Sequence, residues 1–409
     1  MTCSTYIART ERASQATPLH PSVRTPLAGA GNLTGKRILL VLSTLEMGGA
    51  ERQALALAHY LKNHAHVQIW GLSRAGLAAQ QCEELGIAWR LMPFRWPCRK
   101  TNLVKNLSRF IFALRHERPD IVIAYAAWAN VACGLARPFT GLKAFIWNQR
   151  DVSPHFLKPD RITSKASARA SAFIANSAAA VDHLVNDFSI PRDAVSIIPN
   201  GVNAINGGTE KKHFCNKYGI NEHRPLACML ANFREPKDHE TALRAWRLLA
   251  NRKRSGTRMP VLVLAGADGH TLDACRALVS TLAIEDHVRF AGQVVDVPAL
   301  LRSVDLKVFC SKSESCPNAV LEAMAAGLPV VATDLPAIRE LIGDGELSFL
   351  LPPSDASALA DSVERLMADG DLRERLGQDN RKRAEKTFGM DRMINSTLEL
   401  LSSLVPSQA

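Results

Sequence analysis

The chain has 409 residues, which is long for a single domain and favours two. Its composition, 47% hydrophobic and 22% charged, is that of a globular protein with buried cores and excludes a fully disordered or fibrous chain. The formal net charge of +11 is uneven, since residues 1–205 hold 24 Lys and Arg against 12 Asp and Glu, whereas residues 206–409 hold 26 against 27. The basic first half predicts an anionic partner: nucleic acid, a phosphate-bearing substrate or a membrane surface.

The nine cysteines are scattered and include no Cys-x-x-Cys pair, which is typical of a reduced, cytoplasmic protein without a disulfide framework. Residues 1–36 are predicted to form a disordered tail, because most of this stretch is rich in Ser, Thr and Pro and nearly free of acids. We expect no secretory signal, since the first 30 residues contain no apolar core. The longest apolar run, 121–136, has only 16 residues and is too short for a transmembrane helix.

From residue 37 onward, short apolar runs alternate with helical patterns, which predicts parallel sheets wrapped by helices. The predicted strands of a first unit are 37–43, 66–70, 87–92, 120–126, 143–149, 172–177 and 194–200. A polar stretch near 203–220 is interpreted as a linker. The pattern then resumes with predicted strands 225–231, 260–267, 287–292, 305–311 and 329–334.

This pattern predicts an α/β protein with two Rossmann-like, doubly wound domains that face a central cleft. The first domain is expected to span 37–203 and the second 204–385. A C-terminal helix within 386–409 is expected to pack back on the first domain. In folds of this kind, ligands bind in the cleft at the carboxyl ends of the strands.

Gly48 and Gly49 follow the first predicted strand and open a helix, so the backbone there can approach a phosphate closely. A plain tight turn is the alternative interpretation. Further along, the segment 90–118 holds eight basic residues, one acid and four aromatic side chains. It is either a helix and loop at a membrane surface or a solvated basic helix whose apolar side chains pack against the protein core.

Arg150 directly follows the predicted strand 143–149. An arginine cannot act as a proton shuttle at neutral pH, so Arg150 either binds an anionic group of the acceptor or donor, or forms an interdomain ion pair with Asp151. In the second domain, Lys237 precedes a helix that is predicted to begin near Asp238. Lys237 and Arg234 could neutralise the charge of a departing diphosphate, and a solvated loop is the alternative.

The stretch Ser313–Pro317 joins the predicted strand 305–311 to a helix over 318–326. Pro317 suits the first helical position, and the unpaired N–H groups that follow predict an anion site that fits a diphosphate. Glu314 and Glu322 flank this site, and carboxylates accept hydrogen bonds from hydroxyls. Hydroxyls on both sides of a diphosphate describe a nucleotide sugar. The alternative is that Glu314 only caps the helix and that Glu322 is a surface residue.

Residues 314–334, E-S-C-P-N-A-V-L-E-A-M-A-A-G-L-P-V-V-A-T-D, resemble the Glu-(seven residues)-Glu motif of the retaining glycosyltransferases of family 4. That family has the B-type fold with two Rossmann-like domains, and the resemblance covers roughly residues 37–404. It implies that Glu322 holds the ribose hydroxyls and that Glu314 contacts the donor sugar. It also implies that the backbone of Cys316, Pro317, Asn318 and Ala319 cradles the diphosphate. The family usually has Gly-Phe where this chain has Ser315-Cys316.

Other segments share this resemblance. Gly48 and Gly49 lie in a Gly-Gly-Ala-Glu segment that is similar to the one facing the donor from the family's first domain. Residues 231–246 resemble the family's Arg-(four residues)-Lys motif, in which Lys237 matches the lysine. Asn232 stands at the arginine position, and Arg234 is the candidate substitute.

Three further segments complete the resemblance. The family's nucleobase packs just after the glycine that corresponds to Gly292, here against Gln293 and Val294. Arg150 stands where the family often has a histidine near the donor sugar. Residues 196–203 are similar to the family's interdomain Pro-Asn-Gly-Val segment.

Together these features predict a cytoplasmic retaining glycosyltransferase that uses a UDP- or GDP-sugar as substrate and needs no cofactor or metal. The expected acceptor is a saccharide or lipid-linked saccharide of cell-envelope polysaccharide synthesis, with segment 90–118 attaching the protein to the inner membrane face. The Asp-x-Asp at 369–371 is read as a turn, not a metal site. The alternatives are a nucleotide-sugar epimerase or phosphorylase on the same fold, and a non-catalytic nucleotide-binding scaffold at the membrane surface. No nucleic-acid partner is expected, because the basic segment lacks a recognisable motif.

Overall fold

The computed structural model describes residues 33–94, 100–152, 159–207, 211–252, 259–343 and 349–404. The first unit contains a parallel sheet whose strands lie in the order β3-β2-β1-β4-β5-β6-β7. These strands are β1 Arg37–Leu42, β2 His66–Gly71, β3 Ala88–Leu91, β4 Ile121–Tyr125, β5 Ala144–Gln149, β6 Ala172–Ala175 and β7 Val195–Ile197. The helices around them are α1 Gly49–Leu61, α2 Leu77–Glu84, α3 Lys100–Glu117, α4 Ala127–Ala136, α5 Arg161–Ser167 and α6 Ala178–Phe188.

The second unit repeats this plan with a parallel sheet in the order β10-β9-β8-β11-β12-β13. Its strands are β8 Leu226–Leu230, β9 Val261–Ala265, β10 Val288–Gly292, β11 Leu306–Phe309, β12 Val330–Thr333 and β13 Phe349–Leu351. Its helices are α7 Lys211–Tyr218, α8 His239–Asn251, α9 Leu272–Thr281, α10 Val297–Ser303, α11 Asn318–Ala325, α12 Pro336–Ile342, α13 Ala356–Ala368 and α14 Gly370–Phe388. The described chain ends with helix α15 Met390–Leu404. The predicted two-unit α/β fold is confirmed.

Strands β4 and β9 show why both sheets are parallel and covered on both faces. Their sequences, IVIAY and VLVLA, are apolar at every position, and every residue is buried. A continuous apolar strand needs helices on both sides. The strand order reverses at β1 and at β8, where such folds place their ligand crevice.

Helix α15 belongs to the first unit in space although it comes last in the chain. Its buried side chains Met393, Ile394 and Leu398 join the cluster that contains Leu40 of β1 and Leu57 of α1. The apolar face of α15 is therefore buried against the first sheet's helices, not against the second unit that precedes it.

The chain crosses between the two units at two points that lie side by side. The Val202 N–H donates to the Phe388 carbonyl at 2.8 Å, and the Met390 N–H donates to the Val202 carbonyl at 3.0 Å. A Cβ atom at Gly201 would lie 2.9 Å from the Met390 Cα, so only glycine allows this close approach. The two crossings therefore form one paired hinge.

The structure differs from the sequence prediction at three places. The stretch interpreted as a linker near 203–220 contains α7, whose Phe214 is buried in the second unit's core. Strand β13 was not predicted, and α14 continues to Phe388, so the last helix begins later than the 386 boundary. In the described ranges, no helix is long and apolar enough to cross a membrane. Residues 1–32 of the predicted tail lie outside the described residues.

Candidate active site

Two helix N termini meet across the cleft between the units. Helix α1 begins at Gly49 after Gly48, and α11 begins at Asn318, with Pro317 as its N-cap. The Asn318 Nδ2 donates to the Gly49 carbonyl at 3.1 Å. A Cβ at Gly49 would lie 3.3 Å from the same Nδ2, so a side chain there would crowd the contact. The two predicted phosphate-facing segments are therefore brought together.

Helix α11 starts at Asn318, where the sequence predicts it, but Pro317 is the N-cap and not the first helical residue, with φ −71° and ψ 110°. Its carbonyl accepts the N–H of Val320 at 3.0 Å, while Asn318 and Ala319 occupy the first two helical positions. N–H groups at those positions have no partner within a helix and point outward with the positive end of the dipole. The anion site predicted at the backbone of 316–319 thus coincides with the start of α11, and its binding of a diphosphate stays a prediction.

Lys237 and Glu314 form an ion pair on the second unit, next to that helix terminus. An antiparallel bridge between Lys237 and Ser311 brings their two loops together. The Lys237 Nζ also lies 4.7 Å from the centroid of the Phe309 ring. Glu314 therefore does not cap α11, and its carboxylate is oriented by the lysine.

Glu322 lies deeper along the same helix and pairs with a residue of the other unit. Its Oε1 is 3.1 Å from the Arg52 Nη1, and its side chain is only 16% exposed, so it is not a surface residue. Burial raises the pKa of Glu322, while the charges of Arg52 and Lys307 oppose that shift. The carboxylate is a strong acceptor in a protected position.

Asn232 and Arg234 lie on the loop that follows β8, and they have different surroundings. The Asn232 Oδ1 accepts the Ala267 N–H at 3.0 Å, which ties this loop to the end of β9. Arg234 is exposed, and its charge lowers the pKa of Glu51, which burial raises more strongly. Because Glu51 belongs to α1, the guanidinium of Arg234 faces the first unit across the cleft.

The turn that carries Ser315 and Cys316 is tied to the first unit. The Ser315 hydroxyl donates to the Asn176 side chain and lies 3.3 Å from the Ser177 hydroxyl. The Cys316 carbonyl accepts the Asn200 Nδ2 at 2.8 Å. Ser315 therefore supplies an interdomain contact where the family usually has a glycine.

Arg150 is partly buried directly after β5, and its side-chain partners belong to the first unit. Its Nε donates to the Asn148 Oδ1 at 2.9 Å, its Nη1 donates to the Asn200 side chain, and its guanidinium stacks 5.1 Å from the Tyr125 ring. Burial lowers the pKa of Arg150. These contacts make Arg150 an anchor for Asn200, and its role toward an anionic group of the acceptor or donor stays a prediction.

The alternative prediction for Arg150, an interdomain ion pair with Asp151, is wrong. The described residues show no ion pair between Arg150 and Asp151. The Gln149 Nε2 instead donates to the Asp151 carbonyl at 2.8 Å, and burial raises the pKa of the Asp151 carboxyl to about 6.

Val294 lies on the loop after β10 at the same edge of the second sheet. It is partly buried against the second unit's core, and Gly292 before it has φ +65°, which glycine tolerates best. The contact of this loop with a nucleobase stays a prediction.

Sequence reasoning missed Arg52, Asn200 and Lys307. Arg52 directly follows the Gly-Gly-Ala-Glu segment, and Asn200 lies in the Pro-Asn-Gly-Val segment, so their positions beside recognised motifs were available signals. Lys307 is the lone charge in the strand sequence LKVF. A charged residue within a buried apolar strand is rare, so its position was also an available signal.

Both parts of the chain match family models. Residues 47–204 match the model for Glycosyltransferase Family 4, and residues 210–383 match the model for Glycosyl transferases group 1. The chain belongs to glycosyltransferase family 4. The resemblance found in the sequence is thereby confirmed.

The family includes curated proteins that this chain resembles over part of its length. The N-acetyl-alpha-D-glucosaminyl L-malate synthase of Bacillus anthracis is 29% identical over 44% of this chain and 45% of that protein. The lipopolysaccharide core biosynthesis glycosyltransferase LpsE of Rhizobium meliloti is 29% identical over 44% of this chain and 50% of that protein. The chain thus matches about half the length of these relatives.

A solved structure of the same fold is that of Anabaena HepE in complex with UDP and glucose. It superimposes with a TM-score of 0.79 at 19% identity, and covers 90% of this chain and 100% of HepE. At this identity the likeness shows the B-type glycosyltransferase fold.

The predicted basic segment 90–118 includes α3. Residues 95–99 of this segment lie outside the described residues. The exposed side of α3 carries Lys105, Arg109, Phe112 and His116 at helical spacing, and Phe112 is 75% exposed. A cavity of about 420 Å³ lies beside this face and includes Arg90, Met92, Ser108 and Ala113 in its lining. Arg90 itself donates to Glu117 at 3.0 Å, so its charge is already paired.

Proposed function

We propose that this protein is a retaining glycosyltransferase that transfers a sugar from a nucleoside-diphosphate sugar to a saccharide or lipid-linked saccharide. The observation that carries this proposal is the placement of the Lys237–Glu314 pair beside the N terminus of α11, with Glu322 further along the same helix. A carboxylate paired with a cation, an anion site and a second carboxylate follow one another along the cleft in the order that such a donor requires.

The donor would lie along α11. Glu322 would accept hydrogen bonds from the ribose hydroxyls, and the backbone of 316–319 would hold the diphosphate. The sugar would then lie near Glu314. The lysine ammonium has three donors, so Lys237 could hold Glu314 and a phosphate oxygen at the same time. Loop residue Val294 would contact the base.

The chemical step breaks the bond between the anomeric carbon and the diphosphate oxygen and forms a bond from that carbon to the acceptor oxygen on the same face. The acceptor proton passes to the departing diphosphate. Lys237, the α11 dipole and Arg234 stabilise the negative charge that develops there. In this proposal the step requires no general base from the protein and no metal ion.

The comparisons support a donor and an acceptor class. The HepE structure contains UDP and glucose, which favours a UDP-sugar over a GDP-sugar. LpsE is named as a glycosyltransferase of lipopolysaccharide core biosynthesis, which supports an acceptor in the cell envelope. The basic and apolar face of α3 fits reversible attachment to an anionic surface, so we place the protein in the cytoplasm at the inner membrane face.

The first experiment is a thermal-shift screen against UDP, GDP and their sugars. We expect a UDP-sugar to raise the Tm, because a ligand that binds only the folded state stabilises it. Slow hydrolysis of the stabilising donor would exclude a non-catalytic scaffold. Product analysis with and without acceptor separates a transferase from an epimerase or phosphorylase, and the anomeric configuration of the product tests retention. No stabilisation by any of these compounds would show that the proposal is wrong.

A further inference from the structure

Lys307 is a buried lysine whose side-chain ammonium lacks a hydrogen-bond partner among the described residues. It is 0% exposed and lies in the middle of the second sheet, opposite Cys228 of β8 and Val330 of β12. Among the described residues, its Nζ has no hydrogen-bond acceptor. An unpaired ammonium is costly to bury, so an apolar side chain would stabilise this position better than lysine does.

The side chain of Lys307 lies on the face of the sheet that α11 covers. Phe309, two residues further on the same face, packs in one cluster with Val320 and Leu321 of α11. The Lys307 Nζ is 5.8 Å from the centroid of the Phe309 ring, and the Lys237 Nζ is 4.7 Å from the same centroid. The buried lysine is therefore next to the layer of residues that supports the proposed donor site.

The charged and titratable groups that face Lys307 come from three elements. Burial lowers the pKa of Lys307 to about 8, and the nearby charge of Lys237 adds to this effect. Glu322 of α11 and the thiols of Cys228 and Cys310 act in the opposite direction. In turn, Lys307 and Arg52 oppose the rise that burial causes in the pKa of Glu322.

The two cations that act on Glu322 differ in where they are fixed. Arg52 belongs to the first unit, so any opening of the cleft separates it from Glu322. Lys307 belongs to the same unit as Glu322, so its charge acts on the carboxylate in every arrangement of the two units. Of these two cations, Lys307 is therefore the one that can keep the carboxylate charged before the donor arrives.

We propose that Lys307 is a positioning residue for the nucleotide, whose buried ammonium favours the charged form of Glu322 for the ribose and adds positive charge behind the diphosphate. This inference rests on the proposed function, because it assumes that a nucleoside diphosphate binds along α11. The ammonium does not touch the substrate, and its effect reaches the nucleotide through Glu322 and through the electrostatic potential of the site.

The wild-type protein alone provides one test. A bound diphosphate adds negative charge near Lys307 and raises its pKa, so UDP binding at pH 8 is expected to take up a fraction of a proton. Calorimetric titration with UDP at pH 8 in two buffers of different ionisation enthalpy measures this uptake. GDP replaces UDP in the titration if it binds more tightly.

Lys307→Met provides the second test, since it removes the charge and keeps an unbranched side chain of similar length. We expect the proton uptake to disappear and the UDP affinity at pH 7 to fall by about tenfold. We also expect a higher Tm at pH 7. The folded-state pKa of Lys307 lies below its ordinary value, so its protonation destabilises the fold at every pH below about 8.

The matched control is Lys312→Met, which changes an exposed lysine on the following turn and should leave affinity, proton uptake and Tm unchanged. A lysine that only supports the fold would give a lower Tm on replacement and unchanged proton uptake.

The outcomes separate this inference from the proposed function. If the wild-type protein binds UDP without proton uptake at pH 8, the role of Lys307 is refuted while nucleotide binding stands. This result decides the matter even if Lys307→Met does not fold. Wild-type affinity in a folded Lys307→Met variant would refute it equally. If the wild-type protein binds neither UDP nor GDP, the inference and the proposed function both fail.

Discussion

The Glu322 carboxylate pairs with Arg52 in the structure, whereas the proposed reaction needs it for the ribose. Replacing Glu322 by Ala should weaken UDP binding, because the ribose loses a charged acceptor worth roughly 1.5–3 kcal/mol per hydrogen bond. Calorimetry on the folded variant measures the change. Glu374→Ala on the exposed face of α14 is the control. Unchanged affinity for both UDP and GDP would refute the ribose assignment.

Lys237 is expected to act mainly on turnover. Its charge matters most as the diphosphate leaves, so Lys237→Ala should lower kcat by a larger factor than it lowers donor affinity. Steady-state kinetics together with donor binding measurements give the two factors. A loss confined to donor affinity would show that Lys237 contributes equally to ground state and transition state.

Arg234→Ala belongs in the same assays, since Asn232 occupies the position of the family's arginine. Lower turnover would show that Arg234 supplies the second cation. Wild-type turnover would show that this chain has lost it.

Site residues that lie within a recognisable local motif could be predicted from the sequence. Contacts between residues that are far apart in the sequence could not. Glu314, Glu322 and Lys237 lie in recognisable segments next to predicted strand ends. The Arg52–Glu322 pair joins positions 270 residues apart, and nothing local to either residue specifies the other. The contact of Arg150 with Asn200 could not be predicted, because Asn200 follows a different strand and the sequence does not place the two residues together.

Among the elements, the apolar strands were predictable because five or six consecutive apolar residues between polar turns are a strong signal. Strand β13 has only three residues, FLL, and its position depends on pairing with β12. Helix α7 was missed because it is mostly polar, and only Phe214 and Cys215 are buried. Short or polar elements owe their structure to packing, which local patterns do not report.

Helix α3 leads to a prediction at the level of one element. Its exposed side presents Lys105, Arg109, Phe112 and His116, which should bind anionic liposomes at low salt. Each cation near such a surface contributes about 1 kcal/mol at best, and salt screens it over about 8 Å. Sedimentation should therefore be lost at about 0.5 M salt.

Matched variants test whether liposome binding depends on this face of α3 or only on the positive charge of the protein as a whole. Changing Lys105, Arg109 and Phe112 to Ser should abolish sedimentation and leave nucleotide affinity intact. Changing the exposed Arg375 and Lys382 of α14 should have little effect. Equal binding to neutral and anionic liposomes would contradict the prediction and favour a soluble acceptor.

At the scale of the whole molecule, polar contacts hold the two units together around the cleft. Two of them involve side chains to which the proposal gives no contact with the donor. The Glu340 carboxylate accepts the Ala178 N–H at 2.9 Å, and Asn176 accepts the Ser315 hydroxyl. Hydrogen bonds of this kind contribute about 0.5–1.5 kcal/mol each, so the balance between closed and open forms should respond to their loss.

The double variant Glu340→Ala/Asn176→Ala is therefore expected to shift the ligand-free protein toward an open form. Small-angle X-ray scattering should show a larger radius of gyration, and saturating UDP should restore the wild-type value. Glu374→Ala serves again as the control. An unchanged radius in the ligand-free double variant would show that other contacts fix the closed arrangement.

The position of α15 has a consequence for how the chain folds during synthesis. The first unit is made first, yet Met393, Ile394 and Leu398 of its core are made last. Until α15 leaves the ribosome, the surface it covers on the first unit stays exposed to solvent and to other chains. The second unit has no such dependence, so it can complete its core while the first unit, although older, still waits for its final helix.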